Sequence, residues 1–127
     1  MWAIRVYRSA SGRSHVKDWY DGLPESTRGT VWAKIRFLKQ QPRHYWKRPQ
    51  FDELHGDGNG LGEIRFKLDN VQNILIGYFG PERMEFTIVA HAIEKGTRYR
   101  PPNAIKTAQA RKRENINAES TTELWFP

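Results

Sequence analysis

Three apolar runs follow one another between residues 63 and 92 with only turn residues between them, and this spacing points to an antiparallel meander. Residues 63–68 alternate, with Ile64, Phe66 and Leu68 on one side and Glu63, Arg65 and Lys67 on the other. Asp69-Asn70 supplies a tight turn. Residues 73–79 are almost wholly apolar, as a central strand would be. After the turn Gly80-Pro81-Glu82-Arg83, residues 85–92 place Phe86, Ile88 and Ala90 on one face and Thr87, Val89 and His91 on the other. Arg65 and His91 are therefore expected to project from the same face of one sheet, across the intervening strand.

Ahead of the meander, Trp2, Ile4 and Val6 alternate with Ala3, Arg5 and Tyr7, which predicts an N-terminal strand. Val16, Trp19, Tyr20 and Leu23, then Val31, Trp32, Ile35 and Leu38, recur at helical spacing. Ser14 stands as a candidate N-cap, Pro24 divides the two helices and Pro42 ends the second, which together read as an α-hairpin. Residues 42–62 form a long connection whose Asp57-Gly58-Asn59-Gly60 is a turn. Beyond Pro101-Pro102, residues 103–117 have helical composition. The expected fold is α+β: a strand and an α-hairpin covering one face of a twisted antiparallel sheet, the other face partly open, with a basic C-terminal helix. The chain reads as a single domain over residues 1–117, with residues 118–127 as a flexible tail ending in Leu124-Trp125-Phe126.

Charge narrows the class of partner. The 127 residues carry a net charge of +7, and residues 95–113 hold seven basic side chains and no acid. The remaining basic and acidic residues cancel, so the excess is local, as a polyanion or an acidic protein partner requires. No apolar run approaches the ~20 residues that span a bilayer, and the N-terminus carries Arg5 and Arg8 where a signal peptide is apolar. Cysteine is absent, which removes disulfides and thiolate chemistry. A cytoplasmic protein with no membrane partner is the expectation. His15, His44, His55 and His91 lack paired ligand spacing, and the glycines at 56, 58, 60 and 62 lack the Lys-Ser/Thr of a phosphate loop. Neither a metal nor a small-molecule cofactor is expected.

The element order and several strings resemble the RelE/ParE toxin superfamily, most closely its HigB-like, phage-derived branch. Leu54-His55-Gly56 followed by residues 60–66, Gly-Leu-Gly-Glu-Ile-Arg-Phe, is similar to a signature of that branch. Ile76-Gly77-Tyr78-Phe79, the stretch 89–97 leading to Pro101, and Ile105, Ala108 and Arg111 at three-residue steps match its later pattern. The resemblance covers residues 2–114. It departs where Gln72 and Asn73 replace an arginine near the start of the middle strand, and where Glu94-Lys95 replaces a Lys-Lys pair.

The resemblance implies a toxin of a type II toxin–antitoxin pair, neutralised by a cognate antitoxin protein. Its activity would be metal-free cleavage of mRNA, on the ribosome, with arrest of translation. A ParE-like poison of DNA gyrase and an inactive protein- or nucleic-acid-binding module are the alternatives on the same fold. Metal-free cleavage needs a base for the ribose 2′-hydroxyl, an acid for the leaving oxygen and cations on the phosphate. Arg65 is the candidate clamp, because guanidinium grips phosphate bidentately. His91 is the candidate proton-transfer group, and Lys95 a third catalytic cation. Lys67, His55, Arg98, Arg100, Arg111, Lys112 and Arg113 are candidate RNA contacts, and Tyr99 a stacking platform for an unpaired base.

Overall fold

The computed structural model describes residues 1–125. In chain order they form β1 (Ala3–Arg8), α1 (His15–Asp21), α2 (Glu25–Lys39), β2 (Phe51–Glu53), β3 (Gly62–Leu68), β4 (Val71–Phe79), β5 (Glu85–Lys95), β6 (Arg98–Arg100), α3 (Ala104–Ile116) and β7 (Thr121–Trp125). The class is α+β, with three helices and one seven-stranded sheet among the described residues. None of these helices is long and apolar enough to cross a membrane.

The meander is the centre of the sheet. Asp69 and Asn70 have φ of 49° and 64°, as the two central residues of a primed hairpin turn require. They pair β3 with β4 from Leu68↔Val71 to Gly62↔Gly77. The full strand order is β2-β3-β4-β5-β1-β7, with β6 pairing β5 off that path. The sheet is mixed rather than antiparallel throughout, because β1 runs parallel to β5 over Ala3↔Glu85 to Val6↔Ile88. Parallel neighbours need a crossover connection, and here α1, α2 and the strands β2 to β4 lie between β1 and β5 in the chain.

Both faces are covered, which corrects the expectation of a partly open one. On the hairpin face, Val16, Val31, Ile35 and Leu38 pack against Ile4, Val6, Ile64, Phe66, Leu75, Phe86 and Ile88. On the opposite face, α3 presents Ala104 and Ala108 to Ile74, Ile76, Ala90 and Ala92. Alanines four residues apart lie on one stripe of a helix and let it approach closely, so a largely basic helix still seats.

A bulge in β5 changes which side chains share a face. Ile76 pairs with Ala90 but Gly77 pairs with Ile88, so Val89 is an extra residue. Gly77 permits this close approach, since a Cβ there would run into the Thr87 carbonyl oxygen and the Phe86 ring. Ile88 stays on the hairpin face, Ala90 joins the α3 face, and His91 returns to the hairpin face opposite Leu75. Three short strands have no clear mark in the sequence: β2, β6 and β7. The last lies inside the segment expected to be a flexible tail. It pairs with β1, Glu123 takes Arg8 and Lys17 at 3.0 Å each, and Trp125 is buried edge-on to Tyr20. Phe126 lies outside the described residues.

Candidate functional site

Arg65 projects from β3 toward the α3 face and is 8% exposed. Its guanidinium pairs with Glu63 on the same strand and with Glu94 on β5, Nη2 lying 2.7 Å from Glu94 Oε1. The second oxygen of Glu63 accepts the Tyr99 hydroxyl at 2.5 Å. Burial disfavours the Arg65 cation, but the hydrogen bond it donates to Glu94 and the charge of Glu63 outweigh it and raise its pKa. Burial, then the Glu63 hydrogen bond, raises that of Tyr99. The expected phosphate clamp is thus enclosed and neutralised by two carboxylates. The expected stacking platform, Tyr99, points inward and serves the same network. Lys67, two residues on, is exposed.

His91 sits on the other side of the sheet. Asn73 donates its amide to the Val71 carbonyl at 3.0 Å, which turns its oxygen to the imidazole. His91 Nε2 donates to that oxygen at 2.8 Å, so Nε2 carries the proton of the neutral ring. The ring stacks on Trp19 with centroids 4.0 Å apart and planes 18° from parallel. Burial pushes its pKa down to about 4. The expected pairing of Arg65 and His91 across one face therefore fails, because the Val89 bulge reverses the alternation between them.

The same bulge lies at a break in the sheet. β1 pairs with β5 only as far as Ile88, and the pairing of β5 with β6 starts at Ile93, so residues 89–92 have no strand on that side. Arg111 of α3 reaches into the break and donates to the Val89 carbonyl at 2.8 Å. A cleft of about 270 Å³ opens there, lined by His15 and Trp19 from α1, Ala90 and His91 from β5, Pro101, and Ala104, Thr107 and Arg111 from α3. The Arg111 guanidinium lies 5.2 Å from the Tyr7 ring and has no ion-pair partner among the described residues. His15 titrates below its ordinary value through burial, then through the charges of Arg111 and Arg13. His15, Trp19 and Thr107 are not among the site residues expected from the sequence. The only trace there is the helical spacing of Ala104, Thr107 and Arg111; no local pattern ties His15 to that helix.

The exposed cations divide by face. After the bulge, His91, Ile93 and Lys95 alternate with Ala92 and Glu94, and Ile93 and Lys95 pair with Arg100 and Arg98. Lys95, Arg98 and Arg100 therefore stand on the face that holds His91, while Tyr99 turns to the Glu63 side. All three are exposed, as are Lys106 and Arg113 on α3. None of the five has an ion-pair partner among the described residues. Lys112 is held back: it donates to the Gly60 carbonyl at 3.1 Å and lies 5.5 Å from the Tyr78 ring. His55 is exposed in the turn before β3, remote in the sheet order from β5 and β6. Comparison with protein-family models, with curated proteins and with solved structures finds no match to this chain.

Proposed function

We propose that the chain is a RelE/HigB-type toxin that binds mRNA and cleaves it, and that a cognate antitoxin holds it inactive. The reading draws on the strand, helical hairpin, meander and basic helix in that order. One observation carries it. Lys95, Arg98 and Arg100 form an exposed row without ion-pair partners among the described residues, on the His91 face of β5 and β6, and the chain leaves that row through Pro101, which lines the cleft. A cation row leading to a concave site with histidines and an arginine is what a single-stranded RNA needs for docking and for proton transfer. In this reading Arg65 builds the sheet, and the reacting phosphate lies on the other face. An antitoxin segment rich in acids would cover the row as it folds onto it.

The test has two parts. Sequencing RNA 5′ ends after expression of the chain should reveal new ends within coding regions; their absence rejects cleavage. Replacing Lys95, Arg98 and Arg100 together with Gln should flatten the dependence of log affinity on log salt for single-stranded RNA. The expected change is about 2 in slope, from ~0.7 per lost phosphate contact. An unchanged slope rejects the row as the RNA contact.

A second reading, a gyrase poison, is favoured by the enclosure of Arg65, since that function needs no catalytic residue on the sheet. It predicts gyrase-dependent DNA breaks and intact mRNA.

A further inference from the structure

We propose that the cleft between α1, β5 and α3 is a phosphate-binding site, with Arg111 as its fixed cation and His15 as a second donor. The inference takes the phosphate to come from RNA on the strength of the reading above, but the site stands without it.

Arg111 is the starting point. It is partly buried, and a cation withdrawn from water is costly unless an anion compensates it. No carboxylate of the described residues lies within ion-pair distance. The one acid whose charge reaches it, Glu114, makes no ion pair with it and accepts the Tyr7 hydroxyl at 2.5 Å, and burial outweighs that charge. The guanidinium donates one hydrogen bond, to Val89, out of five N–H donors. That bond and the Tyr7 ring hold the fork in place, leaving donors for an outside anion.

The rest of the cleft suits the same ligand. Thr107 stands one turn before Arg111 on α3 and adds a hydroxyl to the wall. His15 faces them from α1, close enough for the Arg111 charge to lower its pKa. An anion between the two would reverse that repulsion and draw a proton onto His15. The neutral His91 and Trp19 stack forms a flat apolar wall, which keeps the local dielectric low and strengthens the charge contact. The volume of about 270 Å³ admits a phosphate with part of an attached sugar. A carboxylate would meet the same cation but has only two oxygens in one plane for three donors set on two helices.

The probe is inorganic phosphate, added to the full-length ¹⁵N-labelled chain at constant ionic strength against chloride. Saturable NMR shifts are expected at His15, His91, Thr107 and the Arg111 Nε–H. His15→Gln and Arg111→Lys should each weaken binding about tenfold or more. The lysine variant keeps the charge but loses the fork, and His15 is exposed, so folding is protected in at least one of the two. A 5′-phosphorylated and a 5′-hydroxyl oligoribonucleotide then separate a terminal phosphate from a backbone one. Shifts spread over Lys95, Arg98, Arg100, Lys106 and Arg113 without a saturable response in the cleft would overturn the proposal. So would wild-type affinity in both variants, or acetate binding as tightly as phosphate. Phosphate bound in the cleft of a chain that fails to bind RNA would keep this site and reject the RNA reading.

Discussion

His91 makes stability depend on pH in a window that carboxylates alone would not produce. The ring is neutral in the folded chain because burial lowers its pKa from 6.5 to about 4. Unfolded, it titrates at its ordinary value. Between these values the unfolded chain binds the extra proton, so stability is highest above pH ~6.5 and falls as the pH drops toward ~4. Each pH unit of that gap is worth ~1.4 kcal/mol, so the ceiling is about 3 kcal/mol. Between about pH 7 and about pH 4.5 the loss should be about 2.5 kcal/mol, a large share of the stability of a small domain. Urea unfolding across that range measures it. His91→Gln removes the titrating group, so the difference between the two pH profiles isolates it from the carboxylates. A direct check is the ¹H-¹⁵N signal of the imidazole, which should show Nε2 protonated and Nδ1 bare at neutral pH. Parallel profiles for wild type and His91→Gln, or an imidazole that titrates near 6.5, would refute the argument that burial behind Trp19 keeps the ring uncharged.

Arg65→Ala should destabilise the chain by about 3 to 5 kcal/mol in urea melts, because Glu63, 2% exposed, loses its countercharge. A loss below about 1 kcal/mol together with lost RNA cleavage would return Arg65 to the reaction instead. Gly77→Ala should cost about 3 kcal/mol or more by the same measurement, since the new methyl meets the Thr87 backbone and the Phe86 ring with no room to relax. Near-normal stability would mean that the Val89 bulge is not held by that close contact.

The meander, the helical hairpin and the basic helix were legible in the sequence because each is a local pattern. Alternation, helical spacing and turn residues act over a few positions, and Ile64, Phe66 and Leu68, or Val31, Ile35 and Leu38, state their element without help from the rest of the chain. The local charge excess was legible for the same reason, and Lys95, Arg98 and Arg100 are exposed where it predicted cations. What the tertiary structure decided was direction and company. One extra residue at Val89, accommodated by Gly77 on the neighbouring strand, reversed the face of His91 and parted it from Arg65. Alternation has a period of two, so a single insertion inverts every assignment after it, and the cause lies on another strand. Arg65 had the position of a clamp, but Glu94 reaches it, and Tyr99 reaches its partner Glu63, through sheet pairing rather than sequence proximity. The β7 strand is polar and short, and becomes a strand only because the edge of β1 offers it unpaired backbone groups. The cleft is the extreme case: His15, His91 and Arg111 come from three elements and meet where β1 ends before β6 begins, a gap in the sheet that no local pattern encodes.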